Sequence, residues 1–92
     1  MEKDFFLSVI TPGKTVYEGR VNSLVVPAAL GYLGVLANHA PFVCNTVAGK
    51  IIIKEASGDS LDIQAEGKGF LEVLKNRVTL LLSGVADEHS FA

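Results

Sequence analysis

Residues 61–66, "LDIQAE", alternate apolar Leu61, Ile63 and Ala65 with polar Asp62, Gln64 and Glu66. Successive side chains of an extended strand point to opposite faces, so this period of two predicts a strand with one dry and one wet side. Helical spacing is hard to find elsewhere in the chain, and short apolar runs bounded by turn residues recur instead. Ser57-Gly58-Asp59 is the clearest turn. Before it, Lys50–Glu55, "KIIIKE", reads as a strand entered through Ala48-Gly49, and Val43–Val47 as another. Phe5–Thr11 reads as the first strand and Pro12-Gly13 as the turn that ends it. Lys14–Glu18 forms a second strand, stopped at Gly19, and Val21–Val26 a third, stopped by Pro27. Proline cannot donate to a sheet ladder, so Pro27 belongs at a strand end or an edge. Downstream come Gly69–Leu74, a tight turn at Lys75-Asn76, and a closing strand over Val78–Ser83.

About eight to ten short strands at regular spacing predict an all-β fold, a two-sheet β-sandwich or flattened barrel. It should occupy residues 1–86, with 87–92 as a short polar tail that frays and no C-terminal helical domain. Ile51–Ile53 and Leu80–Leu82 are apolar at three successive positions, so both faces of those strands call for cover. The second sheet supplies one cover, and a partner protein is a candidate for the other. Phe5, Phe6, Phe42 and Phe70 sit in strand-like patterns that suggest core.

The totals narrow the function classes. A chain of 92 residues has room for one core only. A formal charge of −2 argues against nucleic-acid binding, which depends on neutralising phosphates. With Cys44 as the single cysteine, no internal disulfide and no cysteine-rich metal site can form. The N-terminal apolar run is too short for a signal peptide, and no run approaches the ~20 residues of a membrane span, so the reading is a small soluble domain.

No constellation supports an enzyme. Gly13-Lys14-Thr15 resembles the end of a phosphate-binding loop, but Ser8 stands where that motif needs its first glycine. The next residues, "VYEGRV", are strand-like and do not form the helix on which a phosphate rests. His39 has no second ligand, serine or acid at a suggestive spacing, and reads as a structural or interface histidine. Asp87, Glu88 and His89 are consecutive residues pointing in different directions. No catalytic, cofactor or metal residue is therefore assigned.

One segment fits neither core nor ordinary surface. Leu30–Phe42, "LGYLGVLANHAPF", carries two glycines, a histidine and a proline among aliphatics, with no formal charge. It is expected to be a glycine-bent surface loop used as a docking surface, since interface cores are depleted of charge and enriched in aromatics such as Tyr32.

Within "VVPAALGYLGVLANHAPF" the chain resembles the ε subunit family of F-type ATP synthases, in its N-terminal β-sandwich domain. Pro27, Gly31-Tyr32-Leu33-Gly34 and His39-Ala40-Pro41 match that family's strand end, Gly-x-(Leu/Phe)-Gly loop and His-Ala-Pro. "FLSVITPGKTVYEGRV" is similar to its opening hairpin, "GKIII" to the stretch after His-Ala-Pro, and "GKGFLEVLKNRVTLL" to its closing segment. The resemblance runs over roughly residues 5–86. Many members carry an acid near Leu30 or Tyr32, which this chain lacks. The usual member continues into a two-helix hairpin with inhibitory and ATP-sensing roles, so none of those is carried over.

The resemblance implies a non-catalytic rotor subunit of the central stalk. It would bind the γ subunit, rest on the ring of c subunits, and reach the catalytic head through γ. Leu30, Gly31, Tyr32, Leu33, Gly34, His39, Ala40 and Pro41 would form the partner interface. The subunit would be peripheral on the energy-coupling membrane, on the cytoplasmic side in bacteria or the matrix or stromal side in organelles. No nucleic acid, transmembrane segment or cofactor is implied. A free-standing β-sandwich binding module competes with this reading, although five Phe, two Tyr and no Trp make a poor ligand platform. A small hydrolase is the third option.

Overall fold

The computed structural model describes residues 2–86. They form seven strands: β1 (Phe5–Thr11), β2 (Lys14–Ala28), β3 (Gly31–Leu36), β4 (Phe42–Thr46), β5 (Gly49–Glu55), β6 (Ser60–Leu74) and β7 (Arg77–Ala86). No helix occurs among the described residues, so none there is long and apolar enough to cross a membrane. The expected tail, with Asp87–His89, lies outside the described residues.

The all-β class agrees with the period-two reading, but the strand count is seven rather than eight to ten. Two expected breaks are distortions inside continuous strands of 15 residues each, β2 and β6. In β6 the register against β7 slips from Glu66↔Gly84 to Gly69↔Leu82, so Gly67 and Lys68 together face Ser83. Gly67 has φ 74°, the left-handed conformation that such bulges require. The Ser83 hydroxyl donates to the Glu66 carbonyl at 2.8 Å and pins the bulge. In β2 the register slips against β1 beyond Tyr17, and against β5 between Val21 and Ser23. Bent in this way, each long strand serves several neighbours.

Pairing runs β1–β7–β6–β5–β2 and back to β1, a closed circuit. Every pairing is antiparallel except β1 with β7, which joins the first and last described strands through Leu7↔Val78 and Val9↔Leu80. β3 pairs only with β2, and β4 pairs with β6 and touches β2 at Ala28↔Thr46. The structure is therefore a flattened barrel, closed on the β1–β7 side and open between β3 and β4.

Alternation fills the interior. Phe5, Leu7 and Val9 of β1 are buried, as are Ile51 and Ile53 of β5, Leu71 and Val73 of β6, and Val78, Leu80 and Leu82 of β7. Each such side chain contributes ~1.5–3 kcal/mol on burial. The same alternation corrects the aromatic reading. Phe5 is core, but Phe70 shares its parity with Glu72 rather than with Leu71 and Val73, and is 40% exposed. Phe42, at the start of β4, is also exposed. Phe6 lies half-buried on the outside, with the Arg77 guanidinium 5.2 Å from its ring centroid. Ile52 and Leu81, the middle residues of the two apolar triplets, likewise face outward.

Tyr17 is partly buried against the core. Its hydroxyl donates to Glu55 Oε2 at 2.6 Å, tying β2 to the end of β5. Burial, and then the facing Glu55 carboxylate, raise its pKa above the usual value near 10. A folded-state pKa raised above the unfolded one contributes stability that is complete below pH ~10 and is lost as pH climbs past that value. Thermal unfolding should thus show an alkaline fall in Tm starting near pH 10, reduced in Tyr17→Phe. At pH 7 the same substitution should cost ~1 kcal/mol, the usual net value of one hydrogen bond. Parallel alkaline profiles for the two proteins would show that this hydroxyl carries no linkage.

Candidate docking surface

The uncharged segment is a strand over much of its length, where a bent loop was expected. Pro27 pairs with Tyr32, and the register from Ala28↔Gly31 to Ser23↔Leu36 is unbroken. Val35 is fully buried and Leu33 packs against the core, while Tyr32, Gly34 and Leu36 face out. The two glycines differ. Gly31 has φ 127° and needs to be glycine to leave the Ala29-Leu30 turn. Gly34 lies in regular strand with open space where a Cβ would stand.

Leu30 projects from the turn and is fully exposed. Tyr32 is 63% exposed, yet it is not loose. It stands beside Pro27, and a Cβ on Gly49 would lie 3.1 Å from the Pro27 ring and 3.5 Å from the Tyr32 hydroxyl. Gly49, with φ 152°, leaves the space in which the tyrosine reaches across β2.

His39, Ala40 and Pro41 belong to the other end of β3. Six strand residues separate them from the Leu30 turn, roughly 20 Å of extended chain. Asn38, at φ 65°, anchors that end: its N–H donates to Asn76 Oδ1 at 2.6 Å and its side chain to the Glu2 carbonyl at 2.8 Å. His39 Nδ1 lies 2.7 Å from the Ala40 carbonyl, a bond that requires the proton on Nδ1. Its ring meets Phe42 edge-on, with centroids 5.9 Å apart. These contacts shape the connection to β4. Of the eight expected interface residues, Leu30–Gly34 thus run from the turn into the middle of β3, whereas His39, Ala40 and Pro41 lie beyond its far end.

What the structure does gather is a cleft of about 430 Å³ between β3 and β4. Leu30, Tyr32 and Leu33 line one side and Phe42, Cys44 and Asn45 the other. None of these side chains is charged. Burial raises the Cys44 thiol above its ordinary pKa, which keeps it neutral. A second apolar surface lies on the outer face of β1, β7, β6 and β4. Register places Ile10, Leu81, Phe70 and Asn45 side by side across four strands. Leu81 is 45% exposed, and exposed Val43 lies diagonally across from Phe70. A shallow hollow of about 320 Å³ extends this row over Pro12 and Gly13. Strand parity relative to Glu72 was the signal in the sequence that could have placed Phe70 here.

No group of three or more His, Cys, Asp or Glu side chains able to hold a metal occurs among the described residues. The fold thus presents an uncharged cleft and, on an outer face, an apolar row bordered by Glu72. The chain belongs to the ATP synthase delta/epsilon chain β-sandwich domain family, whose model matches residues 4–87. It is 46% identical over 76 residues to the ATP synthase epsilon chain of Leptospira borgpetersenii, covering 82% of this chain and 58% of that one. The epsilon chain of Desulfosudis oleivorans is 35% identical over 82 residues, with 89% and 61% coverage. This chain thus spans about three-fifths of the length of these relatives. Its fold is shared with a chain of the Euglena gracilis mitochondrial ATP synthase OSCP/F1/c-ring structure, at TM-score 0.86, 17% identity, and coverage of 94% of this chain and 54% of that one. A chain of the Tetrahymena thermophila central stalk/c-ring structure matches at TM-score 0.74 and 16% identity, with 94% and 67% coverage.

Proposed function

We propose that this chain is the β-sandwich part of an epsilon-type subunit of an F-type ATP synthase, acting as a non-catalytic element of the central stalk. It grips the γ subunit, meets the polar loops of the c-subunit ring near Leu30–Tyr32, and is linked to the catalytic head through γ. The observation that carries this reading is an uncharged cleft, together with an exposed apolar row on an outer face, on a sandwich of this family. The work is mechanical: ion flow turns the ring, and γ and this subunit turn with it as one rotor. A barrel closed by a circuit of strand pairings suits such a coupling, because its strands cannot shift singly. The subunit is then peripheral on the energy-coupling membrane, on the cytoplasmic side in bacteria or its matrix or stromal equivalent.

Co-expression with the γ subunit of the same organism tests the reading. Permanent interfaces commonly bury more than ~2,000 Å² of largely apolar surface, so the complex should survive purification in high salt. Dissociation at moderate salt would identify a mainly ionic contact and refute it.

Tyr32→Ala should loosen attachment to the ring and lower ion-driven ATP synthesis in membrane vesicles. Truncating a buried interface aromatic commonly costs ~2 kcal/mol or more. ATP hydrolysis by the detached head should be spared. His39→Ala should do less, because His39 shapes its own turn through Ala40 and Phe42. Unchanged coupling in Tyr32→Ala combined with Leu30→Ala would remove this end of the barrel from the mechanism.

A further inference from the structure

β3 pairs only with β2, which leaves its other edge open. Pro27 decides which backbone groups lie there. Proline has no N–H, and the Pro27 carbonyl accepts from Val47 N at 3.0 Å, on the side of β2 away from β3. Pro27↔Tyr32 is therefore a non-hydrogen-bonded pair, and bonded pairs alternate with it in an antiparallel ladder. Ala28↔Gly31, Val26↔Leu33 and Leu24↔Val35 carry the ladder bonds. Tyr32, Gly34 and Leu36 consequently turn their N–H and C=O groups to the open edge, and all three residues are exposed.

Strand edges are usually blunted by charge, proline, a bulge or a covering segment. Gly31–Leu36, "GYLGVL", has no charge and no proline, and its register is unbroken. Beside it lies the uncharged cleft of about 430 Å³. A helix cannot satisfy such a row, since its own backbone is bonded internally, whereas an extended segment can. A second copy of the chain fits badly. It would offer the same strand, whose Leu33 and Val35 are already committed to their own core and cannot enter the cleft. The chain's own residues 87–92 carry Asp87 and Glu88, a poor match for an uncharged edge.

We propose that the β3 edge is a strand acceptor: an extended, uncharged segment of the γ subunit pairs with Gly31–Leu36 and sends alternate apolar side chains into the cleft against Leu33, Phe42 and Cys44. This deepens the central-stalk reading and rests on it. It assigns Tyr32, Gly34 and Leu36 a backbone role that no side-chain truncation would reveal.

The test is amide hydrogen exchange on the full chain, alone and co-purified with γ. Alone, the amides of Tyr32, Gly34 and Leu36 should exchange fast while those of Leu33 and Val35 are slow. In the complex the three fast amides should slow by about 100-fold or more. Gly34→Pro removes one edge N–H at a position where the strand partner does not need it, and edges tolerate proline. It should keep the Tm of the isolated chain but weaken γ binding about tenfold or more, whereas Gly34→Ala should bind normally. A stable γ complex in which the three amides stay fast, or in which Gly34→Pro binds as well as the parent, overturns the strand acceptor and leaves the stalk reading standing. Failure to bind γ at all overturns both. Protection that appears in the isolated chain as its concentration rises makes a second copy the occupant and overturns the proposal.

Discussion

Gly69→Ala should lower the stability of the domain by about 3 kcal/mol, at the upper end of overpacking costs. A Cβ at Gly69 would lie 2.5 Å from Thr46 Oγ1, 2.6 Å from the Leu81 carbonyl oxygen and 2.9 Å from Leu82 Cδ2. The carbonyl belongs to the β6–β7 ladder and cannot yield without breaking it, so relief has to come from parting the strands. At ~4–8 °C per kcal/mol for a domain of this size, Tm should fall by roughly 12–24 °C. Thr46 separates the two sources of strain. Its hydroxyl is buried with no hydrogen-bond partner, and an unsatisfied buried group costs ~1–3 kcal/mol. Thr46→Val alone should therefore be at least as stable as the parent. Thr46→Ala combined with Gly69→Ala should recover only part of the loss, because the Leu81 carbonyl still blocks the new methyl. Full recovery in the double variant would assign the whole clash to Thr46.

Gly69 also marks where the sequence stops being informative. In "EGKGF" two glycines two residues apart suggest a break between strands, and one strand in fact continues through them around a bulge. Gly67 is needed for its dihedral angle and Gly69 for its missing side chain. Neither role can be read without the neighbouring strands, because each is defined by residues, Ser83 and Thr46, that are remote in sequence. Local alternation, by contrast, is legible wherever a strand has one dry face. "LDIQAE" puts Ile63 and Ala65 inside and Asp62, Gln64 and Glu66 outside, in agreement with the structure.

The opening strand, Phe5–Thr11, is also legible to the residue. The uncharged segment misleads for the opposite reason: Tyr32, Gly34 and Leu36 alternate with Leu33 and Val35, but every position is apolar or glycine. Without polar residues on the outer face, period two leaves no contrast to detect. That missing contrast is itself a property of the surface, since an outer face without polar residues is suited to being covered. Phe70 misleads by residue type alone, because an aromatic in a strand suggests core while its parity with Glu72 points outward.

The row from Ile10 through Leu81 to Phe70 makes the sharper functional case, because it can be altered without touching the core. Leu81→Asp combined with Phe70→Ser should abolish co-purification with the γ subunit. Both side chains face outward, at 45% and 40% exposure, and pair with one another across β6 and β7. Neither belongs to the buried cluster, so the variant should fold, with Tm changed by a few degrees. Leu81 also adjoins Ile10 of β1, and a carboxylate placed there would sit at the centre of an apolar row with no cation among its cross-strand neighbours. Desolvating an unpaired charge on association is far more costly than losing two apolar contacts. Affinity should therefore fall by more than about 100-fold, near the loss of ~3 kcal/mol typical of a hot spot. Ile52→Asp, on the other outer face beside Val25, is the internal comparison. If γ binds by the β1–β7–β6–β4 face it should leave co-purification intact, and if it alone disrupts the complex the faces are exchanged. Retention of γ by the Leu81→Asp, Phe70→Ser protein in high salt, with the barrel shown intact by circular dichroism, would exclude this face as the grip on the stalk.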